Sequence, residues 1–180
     1  MSNQATTFIE QHPGFFHKRT RLPLDEVAKR ESDPETGVPT VIQDLFDYWQ
    51  ERCVGAPPAI ESFEPQRVFT PGDMRWVSWI NVDNSDPMNF VLCNHPGRAF
   101  GDWSGKALGE YHNVFHARSC AFEYLTCKTI RRPLYHEIKQ TIGRVSRTYA
   151  RLLLPVTGRN RQVTRLYYAT RYIEKPVTIS

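Results

Sequence analysis

Long apolar runs are missing from this chain of 180 residues. No stretch approaches the roughly 20 apolar residues that a bilayer-spanning helix needs. The opening residues, MSNQATTFIEQHPG, have neither the basic start nor the apolar block of a secretory leader. Together these absences predict a cytoplasmic protein with no membrane partner. Cysteine is scarce, and Cys53, Cys93, Cys120 and Cys127 form no CxxC pair. Free thiols are expected, not disulfides or a zinc knuckle. Catalytic and nucleotide-binding signatures are absent too: there is no GxGxxG, Walker loop, GxSxG or HRD run. Only 3 Asp+Glu follow residue 110, and no carboxylate pair stands out. A hydrolase or transferase has little to rest on, and the chain reads as a non-enzyme. An isomerase or dehydratase of the cone-shaped α+β kind would need a histidine or carboxylate deep in a pocket.

The shortage of acids is local. Residues 1–110 hold 10 Lys+Arg and 16 Asp+Glu, whereas residues 111–180 hold 13 and 3. Such asymmetry fits an anionic partner, or a basic sheet covered by the acidic half of the same chain.

Residues 1–38 are polar and broken by Pro13, Pro23 and Pro34. A flexible arm is expected there, although FIEQHPGFFHKR has enough apolar character to dock locally. An amphipathic helix is expected over 39–56. Thr40 and Gln43 have capping-box spacing, Val41, Ile42, Leu45, Phe46, Tyr48, Trp49 and Cys53 share one side, and Asp44, Asp47 and Glu51 share the other. MRWVSWINVD and MNFVLCNH, separated by the turn residues NSDP, predict a hairpin. The run from Tyr111 to Arg132 is free of Gly and Pro and predicts a long helix with Val114, Phe115, Phe122, Leu125 and Ile130 along one side. Three alternating runs, beginning at Leu134, Ser146 and Val163, predict a meander.

One short stretch, RAFGDWSGKALGEYH from Arg98 to His112, fits neither strand nor regular helix. Its aromatics and glycines predict a bent wall segment, with Gly105 in the left-handed region.

Two strands, short helical turns, a long helix and a three-strand meander make the order of the Per-Arnt-Sim (PAS) fold, which the chain resembles. The likeness is greatest to a bacterial group of single-domain PAS-like proteins. Its residues here are Tyr48, Trp49 and Arg52; Gly55 and Pro58; FGDWSGKALGE; Pro133 and Tyr135; and the run Leu152, Leu153, Leu154, Pro155. The arginine that the group carries on its second strand is missing from VLCNHPG.

The resemblance implies an α+β domain over 57–176, with a five-stranded antiparallel sheet, helices on one face and the amphipathic helix ahead of it. It also implies small-molecule sensing or regulatory interaction through a separate signalling partner, and a homodimer formed through the N-terminal helix. The ligand pocket between sheet and long helix would be lined by Phe90, Leu92, Phe100, Trp103, Leu108, Phe115, Phe122, Leu152 and Tyr168.

The cofactor is left open. His112 and His116 lie one turn apart on one helix side, which suits a metal ion or an axial haem ligand, and haem-binding PAS domains take a histidine from this region. Core or solvated histidines are the plainer reading. The cysteinyl-flavin run of photosensory PAS domains is absent, and no motif supports haem or flavin specifically. A last group, Arg147, Tyr149, Arg151, Arg165, Tyr167 and Arg171, alternates basic and aromatic residues on two strands. With Trp49 it forms an expected interaction face that receives the acidic helix or its symmetry mate. The alternative is a polyanion or single-stranded nucleic-acid platform.

Overall fold

The sheet is built from hairpins that lie far apart in the chain. In the computed structural model, which describes residues 5–31, 40–93 and 103–179, seven strands are hydrogen-bonded side by side. They are β1 (Thr6–His12), β2 (Phe15–Leu22), β3 (Val77–Asn81), β4 (Val91–Cys93), β5 (Leu134–Ile142), β6 (Val145–Thr157) and β7 (Val163–Thr178), in the order β1-β2-β5-β6-β7-β3-β4. Every pairing is antiparallel. The helices are α1 (Glu26–Arg30), α2 (Val41–Glu51), α3 (Pro71–Met74) and α4 (Val114–Ile130). None among the described residues is long and apolar enough to cross a membrane.

Both faces of the sheet are covered, so its central strands read as nearly continuous apolar runs. Ala150, Leu152, Leu154 and Val156 of β6 and Tyr167 and Ala169 of β7 pack beneath α2 with Ile42, Leu45, Phe46, Trp49 and Phe63. Leu153, Leu166, Tyr168 and Ile80 point the other way and pack beneath α4 with Cys120, Ala121, Tyr124 and Cys127. The Trp49 indole N–H donates to the Pro155 carbonyl at 2.8 Å and pins α2 across β6. Pro155 is tolerated there because β5 pairing has ended at Leu134 opposite Leu153.

This architecture corrects the five-stranded sheet with helices on one face. The extra strands are β1 and β2, placed in the segment expected to be a flexible arm. The reason is physical. Along β2 the side chains alternate from Phe15 through His17 to Arg19, all buried toward α4, and buried Leu22 turns to the opposite core. Two of those four are polar, so a count of apolar residues misses the period. Pro13 and Gly14 make the turn, with Gly14 at φ +68°. The five expected strands are present beside them, with α4 and the short turns Pro87–Asn89 and Leu108–Glu110 against one face.

A second correction concerns α4. Val114, Phe122, Leu125 and Ile130 are exposed, while His116, Ala117, Cys120, Glu123, Tyr124 and Cys127 are buried. Small Ala117, Cys120 and Ala121 let the helix approach the sheet closely, and the long apolar side chains are turned out.

Candidate functional site: a buried charge cluster

Three neighbouring strands present polar side chains to the underside of α4. Register sets them in rows across β2, β5 and β6. His17, Gln140 and Arg147 form one row, and Arg21, His136 and Arg151 another; between them lie Arg19, Ile138 and Tyr149. Over these rows α4 brings His116, Ser119, Cys120 and Glu123, all buried.

Glu123 is the centre. Its Oε1 lies 2.7 Å from Arg19 Nη1, and its Oε2 accepts from Arg151 Nη2. His136 Nδ1 stands 3.4 Å from Oε2, and His17 Nε2 3.8 Å from Oε1. Burial raises the carboxyl, but Arg151, His136 and Arg19 together outweigh it and hold Glu123 down at about 2. The carboxylate is therefore ionised at any ordinary pH and cannot exchange a proton near neutrality.

The histidines are fixed by Gln140. Its amide oxygen accepts from Arg147 Nε at 3.2 Å and Nη2 at 2.6 Å, which turns its NH2 toward the rings. That NH2 donates to His17 Nδ1 at 3.2 Å and to His116 Nδ1 at 2.9 Å. Both Nδ1 atoms are therefore acceptors, and both rings are neutral with the proton on Nε2. Burial lowers all three imidazoles: His17 to about 4, His136 to about 3 and His116 well below its ordinary value. None is tuned to the near-neutral range that suits a general acid or base. Burial also pushes the Cys120 thiol up, so it is no nucleophile at neutral pH.

With the imidazoles neutral, one buried carboxylate faces two buried guanidinium groups, and half-buried Arg147 adds a third. The cluster carries excess positive charge in a region of low dielectric. Ser119 Oγ, His17 Nε2 and His136 Nδ1 are buried and make no hydrogen bond among the described residues.

The expected pocket residues divide. Phe90, Leu92, Trp103, Leu108 and Tyr168 come together in the core beneath α4. Leu152 faces the opposite core, Phe115 is half-buried with its ring stacked on His12 at 3.7 Å, and Phe122 is exposed. Phe100 lies outside the described residues. Gly105 has φ +83° and its N–H donates to the Leu92 carbonyl at 2.7 Å, so the bend lays the chain along β4.

The two histidines proposed for haem or metal do not converge. His112 is exposed with its ring edge against Trp103, whereas His116 is buried and taken up by Gln140. Among the described residues, no group of three or more His, Cys, Asp and Glu is arranged to hold a metal ion.

The expected Arg/Tyr face is corrected. Leu153 pairs with Tyr168 and Arg151 with Thr170, so Arg151 and Arg171 point to opposite sides of the sheet. Arg147, Tyr149 and Arg151 lie toward α4. Arg165, Tyr167 and Arg171 lie toward α2, where Trp49 and Tyr167 are buried and Arg171 pairs with Glu31 at 2.7 Å.

Sequence reasoning missed Glu123, Arg19, His17 and Gln140, because the site joins β2 to the consecutive elements α4, β5 and β6 far along the chain. One signal was available. Glu123 is one of only 3 acids in the basic half of the chain, and it sits in the middle of a helix. No family model, curated protein or solved structure matches the chain.

Proposed function

We propose that the protein is a sensing or regulatory module of PAS type, that it holds a small molecule with an acidic group between α4 and strands β2, β5 and β6, and that a separate partner protein reads its occupancy. One observation carries the reading. The interface of α4 with the sheet buries Arg19, Arg151, Glu123 and three histidines, while the helix's own Phe122, Leu125 and Val114 face outward. Packing for stability alone favours the reverse, since ionised groups in a core are costly and apolar substitutes are often more stable. An acidic ligand would offset the excess positive charge and would give the unbonded Ser119, His17 and His136 atoms a partner. Its binding would bias the position of α4, and a ligand shifts only the states it binds differently.

The polyanion reading has less support, because its arginines and tyrosines are divided between two faces and several are buried.

The test is native mass spectrometry and an absorption spectrum of freshly purified full-length protein. Thermal unfolding with a panel of small carboxylates and phosphates follows. A co-purifying acidic molecule that is released on denaturation and raises Tm when restored supports the proposal. No bound molecule, together with no rise in Tm from any compound of the panel, overturns it. A haem or flavin spectrum would replace the acidic ligand by that cofactor.

A further inference from the structure

The two edges of the sheet are treated differently. At the β4 edge, the chain after Trp103 runs back along the strand. Gly105 N–H donates to the Leu92 carbonyl at 2.7 Å, Leu92 N–H to the Lys106 carbonyl at 2.9 Å, and Leu108 N–H to the Phe90 carbonyl at 3.0 Å. That edge is occupied. At the other edge, β1 pairs with β2 without a register break, and no described segment lies on its outer side. β1 is seven residues long and has no proline, lysine, arginine or bulge; its one carboxylate is Glu10. Its Thr6, Thr7, Phe8 and Ile9 favour strands, and Phe8 and Ile9 are 44% and 58% exposed.

Beside this edge lies an apolar patch. Arg19 stands between two rings, 5.0 Å from the Phe8 centroid and 5.5 Å from that of Phe122. Phe122 is 61% exposed, and Leu125 continues the patch along α4.

We propose that β1 pairs antiparallel with β1 of a second copy, joining two sheets into one across a two-fold axis. Closure argues for a second copy in place of an open array. Among the described residues β7 beyond Thr170 is also unpaired on its outer side, but it carries Arg171, Lys175 and Pro176, the charges and proline that guard an edge. β1 is the less guarded edge; like meeting like there is an isologous contact, which ends at two chains. Pairing centred on Ile9 sets Ile9 against Ile9 and each Glu10 opposite Phe8 of the other copy, so the two acids do not face each other. It also brings the two Phe8–Phe122 patches to the same side of the joined sheet. The apolar side of α2 is already consumed within the chain, which leaves β1 as the better contact. The pairing needs no ligand.

Sedimentation velocity on the full chain tests this, with Ile9→Glu and Phe8→Glu as variants. Ile9 sits opposite Lys18 and Phe8 opposite Arg19 in the β1–β2 register. Each new glutamate therefore faces a cation within its own hairpin, while across the axis a glutamate at 9 meets its counterpart and a glutamate at 8 meets Glu10 of the other copy. The wild type is expected at twice 20.9 kDa, with both variants monomeric and their circular dichroism unchanged. Hydrogen exchange gives a second measurement: β1 amides slow down as concentration rises. A wild type that stays monomeric at its highest soluble concentration overturns the proposal. So do dimers indifferent to both variants, or assembly beyond two chains. If a variant fails to fold, concentration-dependent protection of β1 in the wild type decides alone: its presence supports the pairing and its absence overturns it.

Discussion

Arg19 and Glu123 meet at 2.7 Å beneath α4, one on the second strand of the chain and the other on its longest helix. The contact ties the N-terminal hairpin to the rest of the molecule through charge. Removing one partner of such a buried pair strands the other. Glu123→Gln is therefore expected to destabilise the protein by about 3–5 kcal/mol in urea unfolding. Replacing Glu123, Arg19 and Arg151 together by Leu, Leu and Met should recover most of that loss, while abolishing binding of any acidic ligand. A single substitution costing nothing would show that the cluster is open to water.

Stability should fall steeply as the solution is acidified from pH 6.5 to pH 4. In the folded chain His17 titrates near 4 and His136 near 3, while in the unfolded chain both take up protons near 6.5. Across that window the unfolded state binds more protons, so stability rises with pH. Each histidine contributes a slope of up to about 1.4 kcal/mol per pH unit. Glu123 acts lower. Its folded value of about 2 lies below the ordinary 4.5, so its contribution is complete above 4.5 and is lost as the pH falls toward 2. Urea midpoints measured at fixed ionic strength from pH 7.5 to 4 test this. His136→Gln should reduce the slope by one proton's worth, and flat midpoints would contradict the assignment.

What could be read from the sequence follows from which signals are local. The helix at Val41–Glu51 is legible because its apolar stripe and its tertiary face coincide: Ile42, Leu45, Phe46 and Trp49 are buried. Thr40 is its N-cap residue as expected, but without the capping box: the hydroxyl donates to Glu31 at 3.0 Å and makes no cap hydrogen bond. The meander and the hairpin at Val77 are legible from alternation and turn residues. The hairpin of β1 and β2 is not, because His17 and Arg19 occupy inward positions. The phase of α4 is illegible for the same reason. Its inward side is chosen by Glu123 finding Arg19 and Arg151, a pairing between segments that no helical period contains. The division of Arg151 from Arg171 turns on the β6–β7 register, and a shift of one residue would have reversed it.

The phase of α4 gives a direct test. Phe122→Ala should cost less than about 1 kcal/mol, because the ring is mostly in solvent, 5.5 Å from the Arg19 guanidinium. Ala121→Leu, one position earlier, should cost about 1–3 kcal/mol or more, because it forces bulk between helix and sheet. The opposite ranking in denaturant melts would mean that the helix is rotated.

On the other face, Glu31 anchors the end of α1 and is fully buried. It accepts from the Tyr135 hydroxyl at 2.6 Å, from Arg171 Nε at 2.7 Å and from the Thr40 hydroxyl at 3.0 Å. Three partners from three segments converge on one carboxylate, so this is where the N-terminal region is fastened over β5 and β7. Tyr135→Phe removes one hydrogen bond to a charged acceptor and leaves the ring packing intact. It should cost about 1.5–3 kcal/mol. Glu31→Ala strands Arg171 and a buried tyrosine hydroxyl together and should cost more. Because Arg171 is still partly exposed, water can recover it, and the excess over Tyr135→Phe should be modest. Limited proteolysis separates local from global loss. If Glu31 is a clasp, cleavage near α1 should accelerate in Glu31→Ala well before the sheet unfolds, and equal rates in variant and wild type would remove that role.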